Sequence, residues 1–194
     1  MRKIIFLKYM KNKFAYPSLV IQALEAASRW HEGQWRKDPK KKIPYISHPV
    51  SVGFLLQIAG YDEEVVAAGI LHDVIEDCGI KENSLAKEFT PRVAQIVRDV
   101  SEPKKYSWNK RKEIYREHLR VSSTDALAVA CADHIHNLKC ILNSSKTNKG
   151  IWKMFHATKQ EKMYHEIEVL KIIAKRIKTP LVKEYAEIIS KLKK

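Results

Sequence analysis

Apolar residues recur at three- and four-residue spacing along almost the whole chain, and no run alternates convincingly at period two. Three-to-four spacing lines one face of a helix, whereas a half-buried strand needs alternation, so the chain can stack helices but has little from which to build a sheet. Leu19, Val20, Ala23, Leu24, Ala27 and Trp30 mark a helix over 18–32, with Gly33 placed to stop it. Ser47 is placed to cap a second helix, whose inner face carries His48, Val52, Leu55, Leu56 and Ala59 and whose end is marked by Gly60. Asp62 caps a third, expected to run unbroken to Asp77. Thr90-Pro91 and Thr179-Pro180 each set a capping hydroxyl before a proline, whose missing N–H is no loss at the first helical position. Further helices are expected at 107–120, 124–142 and 152–175, with loops at 39–44 and 143–150. The expectation is an all-α fold: one helical domain over 18–194 behind a short basic extension at 1–17.

A chain of 194 residues can close one sizeable core without disulfide staples. Cys78, Cys131 and Cys140 form no CxxC pair and leave an odd thiol, which argues against a disulfide framework or a zinc ribbon and fits a reducing compartment. The apolar run Ile4 to Leu7 is broken by Lys8, too short for a secretory segment and far below the roughly 20 residues that span a bilayer. A cytoplasmic protein with no membrane partner is expected.

Charge is segregated. Lys and Arg outnumber Asp and Glu by 36 to 22 for a net +14, yet from Ile43 to Ile80 there is no Lys or Arg and there are six acidic residues. Basic segments flank this stretch: Arg36 to Lys42 upstream, and 104–120 with seven basic residues against two Glu. Such a pattern would hold a cation and attract a polyanion to it. Most of these lysines also fit a plain solvated surface. No basic stripe interleaved with aromatics and no reader motif appears, so a nucleic-acid partner is not expected.

The third helix is the informative one. Its inward stripe starts with Val65, Val66, Gly69 and Ile70, then continues into His72, Asp73, Glu76 and Asp77. Unpaired charges on a buried face each cost several kcal/mol unless something positive lies among them. Either this end reaches the surface and the acids are solvated, or a divalent metal sits there, since imidazole nitrogen and carboxylate oxygen are first-row metal ligands. Two further ligand types face inward elsewhere: His48 on the second helix, and Asp133 on a face with Ala126, Val129, Ala130 and Asn137. His134, on a face with Leu127, Cys131, Leu138 and Ile141, reads as a packing residue.

Four ordered blocks then carry a resemblance: Arg36-Lys37-Asp38-Pro39, Pro44 to Pro49 around His48, Leu71 to Asp77, and Ala132 to Leu138. Over about 18–170 the chain resembles the HD-domain metal-dependent phosphohydrolases, and within them the hydrolase domain of RelA/SpoT homologues. These hydrolyse guanosine 3′-pyrophosphate alarmones, ppGpp and pppGpp, to GDP or GTP and pyrophosphate with manganese at the HD site. The resemblance implies His48, His72, Asp73 and Asp133 as metal ligands and Glu76 and Asp77 as catalytic carboxylates. It also implies Arg36 and Lys37 at the nucleotide and Asn137 in its pocket. Two departures bear on substrate: His134 stands where related sequences often have lysine, and 108–112 resembles the small stand-alone members more than the long bifunctional ones. The segment after Leu170 leaves no room for a synthetase domain, so hydrolysis alone is implied.

The residues suit that chemistry. A phosphoric anhydride needs a nucleophilic water, neutralised phosphoryl charge and in-line geometry, and one Mn2+ or similar divalent metal can supply the first two. Glu76 follows His72 by four residues and Asp73 by three, placed to orient or deprotonate that water. Arg36, Lys37 and either Lys110 or Arg111 would hold phosphates, and Arg36 could also stack on a purine; Tyr164 and Lys159 are weaker pocket candidates. The alternatives are an HD phosphohydrolase acting on another nucleotide, such as reduced NADP or a 5′-mononucleotide, and a non-catalytic nucleotide-binding module. Oligomeric state is not legible.

Overall fold

The computed structural model describes residues 18–37, 41–146, 150–155 and 157–193. The expected extension at 1–17 lies outside the described residues. The helices are α1 (Ser18–Trp30), α2 (Ser47–Ile58), α3 (Glu63–Leu71), α4 (Val74–Cys78), α5 (Glu82–Glu88), α6 (Pro91–Val100), α7 (Trp108–Val121), α8 (Thr124–Ser145), α9 (Lys159–Arg176) and α10 (Pro180–Lys193), with a 3₁₀ turn at Ile151–Met154. No strand forms among the described residues; one isolated antiparallel bridge joins Trp35 to Pro44. The all-α expectation is met.

Two helices make the centre. Every residue of α3 from Val65 to Leu71 is buried, and α3 packs against α1, α2, α6 and α8. Small residues permit that crowding: a Cβ on Gly69 would collide with Leu56 Cδ1 of α2. α8 buries Ala126 through Ala132, then Ile135, Leu138 and Ile141, and lies against α2, α3, α6, α9 and α10. Helix starts are fixed where the sequence offers caps. Asp62 Oδ1 accepts from Val65 N at 3.1 Å, Thr90 Oγ1 from Val93 N at 3.1 Å and Ser123 Oγ from Ala126 N at 3.1 Å. Arg92 of α6 then ties two of these starts together, reaching Asp62 at 2.9 Å, Glu64 at 2.8 Å and Asp125 at 2.8 Å.

The expected third helix is broken in two. α3 stops at Leu71 and α4 begins at Val74, with Asp73 at φ −94°, ψ −7°. His72 Nδ1 bonds back to the Gly69 carbonyl at 2.8 Å, competing for a helical acceptor at the break. In a continuous helix adjacent side chains diverge by about 100°; the break lets His72 and Asp73 face one point. Other corrections are smaller. Ser47 does not cap α2: Ile46 holds that position, and Ser47 Oγ donates to the Pro44 carbonyl. The 152–175 helix is split, because Thr158 and Glu161 form a capping box that starts α9 afresh. α8 runs on through Ser145 into the expected loop, and α5 was not anticipated.

Candidate active site

The site is built where α2, the α3–α4 break and α8 meet. His48 is 1% exposed and His72 5%, and their Nε2 atoms face each other at 3.2 Å. Asp73 Oδ2 lies 3.0 Å from His72 Nε2 and 3.6 Å from His48 Nε2. Asp133 Oδ1 lies 3.0 Å from His48 Nε2 and 3.6 Å from His72 Nε2. The donor atoms of His48, His72 and Asp133 all fall within 4.8 Å of one another. Four residues from three helical segments therefore converge.

The donor set fits a divalent cation. The Gly69 carbonyl accepts from His72 Nδ1, so the neutral ring presents the Nε2 lone pair inward. That lone pair meets two carboxylate oxygens and a second imidazole, a set of acceptors with too few protons between them. A metal ion meets this need, and fixing the outer ring nitrogen is how ligating histidines are oriented. Without a cation the groups lean on protons. Burial works against a charge on His72, but Asp73 and Asp133 overcome it and hold the ring well above the usual imidazole range. Burial lowers His48. Asp73 and Asp133 stay well below the usual carboxylate range despite their burial, because the two imidazoles face them.

Around the cluster lies a cavity of ≈ 180 Å³ whose walls include Glu76, Asp77, Glu102, Arg111, Lys112 and Asn137. Glu76 Oε1 accepts from Arg111 Nη2 at 2.6 Å and its Oε2 from Glu102 N at 3.1 Å. Burial, then the neighbouring Glu102 carboxylate, push Glu76 up to about 7 in spite of Arg111. Its proton is thus exchangeable near neutrality, the range a general base needs. Asp77 Oδ1 accepts from Lys104 Nζ at 2.6 Å. The cavity continues into a groove of ≈ 760 Å³ lined by Trp35, Arg36, Lys37, Lys104 and Phe155, and shared with Tyr45, Glu76, Asp77, Arg111 and Asn137. Arg36 is linked to the cluster through one side chain: Arg36 Nη2 donates to Asn137 Oδ1 at 3.0 Å, and Asn137 Nδ2 to Asp133 Oδ1 at 2.6 Å.

Ten of the thirteen candidates named from sequence thus line the cavity or the groove. Lys110 does not; it pairs with Glu113 at 2.8 Å and lines a separate cleft with Tyr164. Lys159 sits over the Trp152 ring. His134 is buried against Tyr115, Tyr185 and His165, as a packing residue would be, and its Nδ1 also donates to the buried Glu166 Oε2 at 2.7 Å.

Sequence reasoning gave no role to Tyr45, His136, Glu102 or Lys104. Tyr45 OH donates to Asp73 Oδ2 at 2.6 Å, and His136 Nδ1 stands 2.7 Å from His48 Nδ1. The hint for His136 was its spacing: three residues after Asp133, it shares that residue's helix face. Tyr45 and Glu102 sit on connections between helices, where no periodicity marks an inward side chain.

Such a cluster in an all-α chain defines a helical protein whose histidines and carboxylates could hold a metal ion beside a small cavity. The HD-domain family profile matches residues 23–160, and the chain belongs to the HD-domain family. Among its relatives is the guanosine-3′,5′-bis(diphosphate) 3′-pyrophosphohydrolase MESH1 of Drosophila melanogaster, 35% identical over 127 residues, covering 64% of this chain and 70% of that one. The bifunctional (p)ppGpp synthase/hydrolase SpoT of Escherichia coli is 33% identical over 126 residues, covering 62% of this chain but 18% of its own length. A solved metazoan ortholog of SpoT, described as hydrolysing ppGpp, superposes with a TM-score of 0.77 at 27% identity, covering 91% of this chain and 97% of that one.

Proposed function

We propose that the protein hydrolyses the 3′-pyrophosphate of guanosine 3′,5′-bis(diphosphate) alarmones, ppGpp and pppGpp, with manganese as the divalent ion. The carrying observation is the continuity of an acidic His-Asp cavity, with Glu76 at its wall, into a groove that presents Arg36, Lys37 and Lys104. The small relative and the solved metazoan protein, both named for this reaction, support the substrate.

His48, His72, Asp73 and Asp133 would hold the ion, which when bound supplies Lewis acidity toward water and phosphoryl oxygen. Glu76 takes a proton from the attacking water, as its position on the cavity wall and its elevated proton affinity allow. The water oxygen bonds to the phosphorus beside the 3′ oxygen, the bond from that phosphorus to the 3′ oxygen breaks, and pyrophosphate leaves with a proton returned to the 3′ hydroxyl. Arg111, whose buried Nε has no hydrogen-bond partner among the described residues, and Lys104 face the charge that develops on the phosphoryl oxygens. Arg36, near the Tyr45 ring at 5.6 Å, and Lys37 hold the nucleotide end. Tyr45 and His136 are positioning residues that fix Asp73 and His48.

The test is purified protein with manganese against guanosine tetraphosphate, reduced NADP and 5′-mononucleotides, with products separated by chromatography. GDP and pyrophosphate from guanosine tetraphosphate, with kcat/KM well above the others, is expected. Preferential release of inorganic phosphate from reduced NADP or a mononucleotide would overturn the assignment.

A further inference from the structure

α7 and α9 enclose a second cleft of ≈ 580 Å³, within the roughly 300–1,000 Å³ of small-molecule sites. It shares Lys112 with the metal cavity and no lining residue with the nucleotide groove. His165, 1% exposed, is part of its wall. Arg116 Nη1 donates to His165 Nδ1 at 3.1 Å, which puts the neutral ring's proton on Nε2. That buried nitrogen has no hydrogen-bond partner among the described residues, an arrangement that costs free energy unless an acceptor is supplied.

Aromatic and cationic groups alternate around this ring. Trp108 stands edge-on to His165, centroids 6.2 Å apart at 72°. The Arg116 guanidinium lies 5.8 Å over the ring of Tyr164, which is 61% exposed. Lys110 and Lys112 complete the basic lining. Both lining carboxylates are engaged, Glu113 by Lys110 and Glu161 by its capping box. Arg116 itself makes no ion pair with a carboxylate among the described residues; its partners are the His165 nitrogen and the Tyr164 face.

We propose that this cleft binds a second nucleotide, with its base against the Trp108 and Tyr164 rings and its phosphates on Arg116 and Lys110. An inorganic anion would have no use for the exposed Tyr164 ring and the half-buried Trp108 ring that line the cleft, whereas a base has a π-face for them and a guanidinium can both stack and pair. A long polyanionic strand fits less well, since Glu117 and Glu168 follow Arg116 and Tyr164 on the same helices. The inference does not depend on what the metal cavity hydrolyses.

The experiment is calorimetric titration of the manganese-loaded full chain carrying Arg36→Ala, with GDP, ATP and inorganic tripolyphosphate as separate probes. About one GDP or ATP per chain should still bind, with quenching of tryptophan fluorescence, and Arg116→Gln or Tyr164→Ala added to that background should weaken it at least about tenfold, a loss of roughly 1.4 kcal/mol. Tyr164→Ala changes an exposed side chain and keeps the fold testable if Arg116→Gln does not. The proposal is overturned if Arg36→Ala abolishes all nucleotide binding, or if the two cleft variants bind as their parent does. It also fails if tripolyphosphate binds as tightly as ATP, or if the cleft residues capture a labelled single-stranded RNA while free nucleotide does not bind. No turnover is read, so failure here and failure of the hydrolase assignment are separate events.

Discussion

One methyl group on α3 should disturb both stability and metal binding. In Gly69→Ala the new Cβ collides with Leu56 Cδ1 and stands 3.4 Å from Val52 Cγ1, and both neighbours are fully buried on α2. Overpacking of this kind costs about 1–3 kcal/mol. Alanine offsets part of that by its better helix propensity, about 1 kcal/mol, leaving a net loss of up to about 2 kcal/mol. The same shift acts on the site. α2 carries His48 and the Gly69 carbonyl orients His72, so moving the two helices apart spreads Nε2 atoms that now stand 3.2 Å apart. Leu56→Ala alone should cost about 2–5 kcal/mol, but the double variant should be more stable than the sum of the two single losses, because the cavity receives the methyl group. Urea unfolding of the four proteins and manganese titration of each check this. A Gly69→Ala protein that gains about 1 kcal/mol and binds metal as the parent does would refute the close-approach argument.

Glu76→Gln should keep its manganese and lose about 10²- to 10⁴-fold in turnover, the range for removing positioned acid-base help; Asp73→Asn should lose metal and turnover together, and elemental analysis beside kcat separates them. Arg36→Ala should raise KM for the nucleotide, whereas Lys193→Ala, at an exposed helix end, should not. His165, pulled down to about 2 by burial and the nearby cationic groups, stays neutral in the folded chain while the unfolded chain takes up a proton below about 6.5. The unfolded state therefore binds more protons as pH falls, stability drops below that pH, and His165→Phe should flatten the slope by about 1.4 kcal/mol per pH unit between 6 and 4; an unchanged slope in urea titrations would contradict this.

Much of this arrangement was legible because helices write a period into sequence. The Asp62 and Thr90 caps and the inward positions of His48 and Asp133 follow from spacing alone, and the resemblance in four blocks tied them to His72 and Asp73. What escaped was set by tertiary contacts. The helix break at His72 depends on a side chain taking a backbone acceptor, which propensity does not register. Lys110 and Arg111 are neighbours in sequence, yet Arg111 turns to Glu76 and Lys110 to Glu113, a divergence that a charge run cannot reveal. Glu166, 1% exposed, is surrounded by His134, Lys162 and Tyr185, a burial that no period in the sequence marks.

The central claim is that His48, His72, Asp73 and Asp133 hold one divalent ion on which hydrolysis of the alarmone 3′-pyrophosphate depends. Metal-stripped protein titrated with manganese, with bound metal and release of pyrophosphate from guanosine tetraphosphate followed on the same samples, tests it most directly. Turnover should rise in proportion to occupancy and level off at about one ion per chain, with the melting temperature rising alongside, as mass action requires of a ligand held by the folded state. Full turnover in the stripped protein, or metal uptake that leaves turnover and melting temperature unchanged, would contradict it.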